Sequence, residues 1–328
     1  MGSNGEPPAP WLNPLIAKEF VVGVTATLLF FLSVVMIPVL GIPLGTFTPL
    51  PTLIAYYRWG SPQAFWVPGG ATILGIVLLT YINLSQSLPY LAEMLLLGLL
   101  LGLGMRRGWS PERTVGSAGM VVFAVGALVF WLTYAGGSER PGIQVERDLH
   151  DAVALLLQQY GATSTDKQLV EETLQKMLPF LTKLLPGAAL SSTLMACWLN
   201  LLVAGRYCRL RHLPMPATLL EWSRWKAPDL LVWFVIVSGV VLLLPSGLLR
   251  IAGINALMVA GVIYLFQGLA IFSFYFERWK IPRVFRAAVY GIILIQQFFT
   301  LGAMLIGLFD MWFDFRRLSR GAPVSGSI

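Results

Sequence analysis

The sequence predicts an all-α protein: a polytopic transmembrane helical bundle of about eight to nine membrane segments with an extracytoplasmic amphipathic helical hairpin. Three observations carry this. Nine runs are almost free of charge, near Phe20–Val39, Pro43–Tyr57, Trp66–Leu84, Leu88–Gly104, Val115–Tyr134, Gly187–Ala204, Leu230–Leu249, Gly253–Phe276 and Ala287–Leu308. Most of them reach the ~20 residues that a helix needs to cross a bilayer. Charged residues make up 12% of the 328 and apolar residues 56%, whereas a soluble domain carries about 25% charge. Finally, one long polar connection, Ala135–Pro186, separates two of the runs.

Taken in order, Met1–Pro10 is polar and rich in Gly and Pro, with no charged region leading into a cleavage site. No cleavable signal peptide is expected, and the first spanning helix serves as the targeting signal. Pro43–Tyr57 is short, with Pro43, Pro49 and Pro51 in or near it. A broken or re-entrant helix buried against its neighbours is the expected form, because irregular backbone is tolerated only away from lipid.

Basic residues orient the chain. Arg106, Arg107 and Arg113 follow the fourth run. Arg206, Arg209, Arg211, Arg224 and Lys226 follow the sixth, and Arg278, Lys280, Arg283 and Arg286 the eighth. The positive-inside rule places these loops in the cytoplasm. The net charge of +7 thus reflects orientation and anionic lipid rather than nucleic acid. The acidic connection Ala135–Pro186 then belongs outside, and counting forward through nine crossings puts the C-terminus outside too, against Arg316, Arg317 and Arg320.

The connection reads as two amphipathic helices. Leu149, Val153, Leu156, Leu157 and Tyr160 share one face, with Gly161 as the residue that ends the helix. Ser164 or Thr165 caps a second helix, with Val170, Leu174, Met177, Leu178, Leu181 and Leu185 as its stripe. The inner stretch Pro214–Asp229 carries Trp222, Trp225 and Lys226, as expected where indoles and basic groups meet headgroups. The resulting organisation is a flexible N-terminus (1–19), an N-terminal transmembrane bundle (20–134), the outer hairpin (135–186), C-terminal transmembrane helices (187–318) and a flexible tail (319–328).

Polar residues inside the apolar runs are the candidate ligand contacts: Glu93, Asn200, Asn255, Gln267, Gln296 and Asp310. A carboxylate at bilayer depth must be paired, protonated or wet, which singles out Glu93. On the last run Gln296, Thr300, Gly307, Asp310 and Asp314 fall near one line of a helix. Asp310 and Asp314 have Arg250, Arg316 and Arg317 as possible partners, and such a clamp is structural unless a ligand or ion also meets it. Amides elsewhere serve equally as interhelical glue. Gly98 and Gly102, spaced G-x-x-x-G, permit close helix contact.

Catalytic constellations are absent from the sequence. His150 and His212 sit in separate loops, so no metal cluster is available, and no cofactor is implied. No G-x-S-x-G, H-E-x-x-H or Walker A occurs. Cys197 and Cys208 are expected as free thiols.

The segments Leu220–Pro228, Gln267–Phe272 and Gly307–Arg317, with Pro49-Leu50-Pro51 and Tyr57-Arg58-Trp59-Gly60, resemble the YybS-like family of predicted bacterial membrane proteins. The resemblance runs from about Ala17 to Leu318 and implies a multi-pass protein of the bacterial cytoplasmic membrane. The first half is distantly similar to S-components of energy-coupling-factor transporters, which bind a small molecule in a helical bundle and dock on a coupling subunit. Their docking spacing, small residues four apart on the first helix, is missing: Gly23 and Ala26 are three apart. The expected function is binding or transport of a small or amphipathic molecule. The alternative is a non-catalytic scaffold of a membrane assembly. Expected partners are membrane lipid, a small-molecule ligand and a membrane protein, with no nucleic acid.

Overall fold

A computed structural model describes residues 14–37, 40–135, 141–159, 164–214 and 222–317. Residues 1–13 of the expected flexible N-terminus, the tail 319–328, Tyr160 and Gly161, and the side chains of Val153, Leu156, Leu157, Val170 and Leu174 lie outside what is described, while residues 14–19 are helical rather than flexible. Among the described residues every regular element is helical. The α-helices are α1 (Pro14–Met36), α2 (Gly41–Gly45), α3 (Leu50–Trp59), α4 (Trp66–Tyr81), α5 (Leu88–Arg106) and α6 (Pro111–Ala135). They continue as α7 (Pro141–Gln159), α8 (Ser164–Leu210), α9 (Leu231–Leu242), α10 (Gly247–Arg278), α11 (Arg283–Ile295) and α12 (Gln297–Phe313).

Six of these helices are long and apolar enough to cross a membrane, or seven if the bent pair α11–α12 is one span. The difference from eight or nine has three local causes. Pro43–Tyr57 is split into α2 and α3, α9 has only 12 residues, and the last apolar run breaks at Gln296 with a bend of 101°. Nothing in the composition of the last run marks that break, since no Pro or Gly stands there.

A second difference concerns α8. The expected second hairpin helix and the sixth apolar run form one helix of 47 residues that passes through Pro179 and Pro186. Proline removes a ladder donor and crowds the preceding turn, so a helix that continues needs other groups to satisfy its backbone.

The chain forms two compact units, one of residues 1–122 and 194–221, the other of residues 123–193 and 222–328. They cut across the boundaries expected from the sequence because α6 and α8 each contribute to both.

In the first unit, Val24 and Phe31 of α1 pack with Ala55, Val67, Ala71, Leu79, Leu91 and Leu95. Leu53, Leu97 and Leu101 are fully buried. The G-x-x-x-G pair works as spacing suggests. A Cβ on Gly98 would stand 2.5 Å from Pro49 O, and one on Gly102 would stand 2.6 Å from Tyr56 Cβ and 2.9 Å from Leu53 O. α3 therefore lies directly on α5. The α2–α3 segment, with Gly41 and Gly45 buried, has the broken form the prolines predict.

In the second unit, α9 and α10 form an antiparallel hairpin, and α10 crosses α12. The crossing is close because glycine occupies both sides. A Cβ on Gly268 would meet Ala303 O at 2.1 Å, and one on Gly307 would meet Tyr264 O at 2.0 Å.

Candidate functional site

The second unit holds a buried polar network built from three segments. α12 ends at Asp314, whose left-handed backbone (φ 41°, ψ 58°) turns the chain while its N–H donates to Asp310 O. Aspartate is among the few residues that adopt this conformation readily. The turn carries Phe315 and Arg316 back over the last helical turn. Phe315 N–H donates to Asp310 Oδ1 at 3.0 Å, and Arg316 Nη2 donates to Asp310 Oδ2 at 2.8 Å. The ion-paired side chains are 0% and 2% exposed.

Arg316 Nη1 extends the network to the stretch before α9, donating to Ser223 O at 3.0 Å and Trp225 O at 2.8 Å. Gln267 of α10 donates through Nε2 to Asp310 Oδ2 at 3.2 Å and accepts from Ala227 N–H at 3.3 Å. Trp222 stacks on Trp225 with ring centroids 5.5 Å apart, and its edge meets Phe266. Ser223 Oγ donates to Glu277, and Tyr275 OH donates to Phe315 O. A buried ion pair is tolerable only when its remaining hydrogen-bonding capacity is met. Here one atom, Arg316 Nε, is buried without a partner among the described residues. The arrangement clamps a loop and two helices together and presents no nucleophile or free acid.

Asn255 occupies a different place in the same unit. Gly187 N–H donates to its Oδ1 at 2.6 Å, and its Nδ2 donates to Lys183 O at 3.0 Å and to Ile251 O at 2.9 Å. Gly187 and Lys183 are the donor and acceptor that a regular helix pairs at i→i−4. The amide bridges them just after Pro186 and so explains how α8 continues past that proline. Gln296 forms the break between α11 and α12, with an extended backbone (φ −96°, ψ 109°). It therefore leaves the stripe of Thr300, Gly307 and Asp310, which remain together on α12.

Asn200 and Glu93 belong to the first unit. Asn200 is 0% exposed, and its Nδ2 donates at 2.8 Å both to Ala196 O, one turn earlier, and to Thr46 O. Thr46 lies in the break between α2 and α3, so the amide satisfies a carbonyl that the broken helix releases. Asn200 Oδ1 is buried with no partner among the described residues, and so is Thr52 Oγ1. Glu93 is partly exposed on α5. Of the six residues singled out from the sequence, the fold joins Gln267 to Asp310. It gives Asn255 and Asn200 separate roles beside helix irregularities. Arg316, Ser223 and Ala227 complete the clamp; of these, only Arg316 had a sequence signal, as a possible partner of Asp310.

Among the described residues, no group of three His, Cys, Asp or Glu side chains could hold a metal ion. A family model described as a predicted membrane protein, DUF2232, matches residues 25–311. This chain belongs to the DUF2232 family. The match takes in Asn200, Asn255, Gln267 and Asp310 and stops before Arg316. No curated protein and no solved structure matches this DUF2232 protein.

Proposed function

We propose that the protein binds or transports a small or amphipathic molecule within the first unit, as a YybS-like protein of the bacterial cytoplasmic membrane. The observation that supports this reading best is the unpaired carbonyl of Asn200 beside a broken helix. Both amide hydrogens of Asn200 are used by Ala196 O and Thr46 O, while Oδ1 accepts from no described residue. A buried acceptor left unpaired costs roughly 1–3 kcal/mol. A ligand bearing a hydroxyl, amide or ammonium hydrogen removes that cost. Discontinuous helices are where transporters place such polar contacts. Glu93, partly exposed on α5 of the same unit, is assigned as a second polar contact because a carboxylate at bilayer depth must be paired, protonated or wet.

The test is native mass spectrometry of protein gently extracted from its own membrane. The proposal predicts a retained small molecule that is lost in Asn200→Leu and weakened in Glu93→Gln. Wild-type protein without any small molecule, under conditions that keep it folded, contradicts it.

A scaffold role is the second reading. It is favoured by the second unit, where Asn255, Gln267 and Asp310 are all engaged by the protein's own groups. It predicts a co-purifying membrane protein that is lost when Pro141–Gln159 is replaced by a short linker, a cut that leaves the long helix α8 intact.

A further inference from the structure

The pair α11–α12 begins and ends at the same end of α10. Its start is tied there by Arg286, whose Nη2 donates to Phe276 O at 3.0 Å and whose Nε donates to Ile281 O at 2.7 Å. Its end is tied there by Tyr275 OH, which donates to Phe315 O at 2.8 Å.

The contacts between α10 and α12 advance together along both helices. Gly261 faces Met304, Tyr264 meets Gly307, Gln267 bonds Asp310 and Tyr275 bonds the residue after α12's last turn. Away from their crossing, where Gly268 meets Ala303, the two helices thus run in the same sense, and α11, bent 101° from α12, leads from the end of α10 to the start of α12. At 13 residues and 1.5 Å per residue, α11 reaches about 20 Å, short of the roughly 30 Å hydrocarbon core.

At the apex the backbone of Gln296 is extended, and Thr300 holds the bend by donating to Ile293 O and Gln296 O. Gln296 and Gln297 are exposed, and among the described residues neither side-chain amide has a partner. Non-helical backbone at membrane depth is tolerated where it is buried in protein or lines water. The bend is not buried in the protein, and Ile295 and Phe298 beside the amides are exposed as well, so at membrane depth its polar edge requires water.

We infer that α11–α12 is a re-entrant hairpin that enters and leaves the membrane on the side of Trp222–Ala227, with Gln296 and Gln297 lining a recess open to water and polar solutes. The side is cytoplasmic by the positive-inside rule, since Arg224, Arg278, Lys280, Arg283, Arg286, Arg316 and Arg317 gather there. The inference concerns the second unit and is independent of ligand binding in the first.

The test uses single cysteines at Gln296, Gln297 and Arg317, on a background with Cys197 and Cys208 replaced by alanine. Sealed right-side-out and inverted vesicles are treated with a membrane-impermeant maleimide, and labelling after detergent solubilisation measures the total. The inference predicts that all three positions label in inverted vesicles only. Labelling of Arg317→Cys in right-side-out vesicles overturns it, because the pair then crosses the membrane. Arg317→Cys labelling from inside while Gln296→Cys and Gln297→Cys stay unreactive overturns the recess and places the apex against lipid or another protein.

Discussion

Asn255 Oδ1 lies 2.6 Å from the backbone nitrogen of Gly187, and the same amide donates to Lys183 O. One side chain from α10 thereby serves both the donor and the acceptor beside Pro186 in α8. The relationship also requires glycine at 187, since a Cβ there would stand 2.4 Å from Asn255 Oδ1 and 2.8 Å from Asn255 Cα.

Replacing this amide should therefore weaken the second unit. Asn255→Leu removes the amide from the part-buried Gly187 N–H and from the exposed Lys183 carbonyl, at a cost of about 1 kcal/mol. Gly187→Ala should cost at least as much, by forcing α8 and α10 apart. Thermal unfolding in nanodiscs, followed by tryptophan fluorescence, checks both. An unchanged midpoint in Asn255→Leu would mean that α8 needs no help at Pro186.

The Asp310–Arg316 pair makes a sharper prediction. Removing one partner from a buried pair costs roughly 3–5 kcal/mol, because the other charge is left unpaired. Asp310→Leu and Arg316→Met should each destabilise strongly, and the double variant should recover much of the loss. A double-mutant cycle on unfolding free energies measures the coupling; additive losses would show that the two charges do not depend on each other.

Steric limits are tested at the crossing of α10 and α12. Gly307→Ala places a methyl 2.0 Å from Tyr264 O, so the helices must separate. Overpacking of this kind costs about 1–3 kcal/mol. Gly291 has open space around its Cβ position, and Gly291→Ala should leave the unfolding midpoint unchanged or raise it slightly.

Thr52 gives a prediction of the opposite sign. Its Oγ1 is buried without a partner among the described residues, and replacing an unpaired buried hydroxyl with a methyl of similar shape is neutral or stabilising. Thr52→Val should hold or raise the unfolding midpoint in ligand-free protein. A clear loss of stability would reveal a hydrogen bond to this hydroxyl.

Much of the architecture is legible in composition and spacing. Charge-free runs mark the long apolar helices, prolines mark the split of Pro43–Tyr57, and Gly98 and Gly102 mark the contact of α3 with α5. The break at Gln296 is not legible, because no Pro or Gly stands there and glutamine is a good helix former. Thr300 holds it locally, and the crossing at Gly268 and Gly307 seats α12 beyond it. The continuity of α8 is hidden for the opposite reason. Pro186 reads as an end, and the group that keeps the helix going lies 68 residues away in sequence. Pairing of Asp310 with Arg316 is foreseeable from charge on the last run. Its backbone partners Ser223 and Trp225 are not, nor is the Ala227 N–H that meets Gln267, since a carbonyl or an N–H leaves no mark in sequence.

In the proposed function Asn200 keeps an acceptor open for a ligand in the first unit. A high-resolution density map of the protein purified without exchange of its native lipids tests this most directly. Ligand binding there gives non-protein density larger than a water, with an atom about 2.7–3.2 Å from Asn200 Oδ1. A lone water there, or an amide turned so that Oδ1 meets a protein donor, would contradict it.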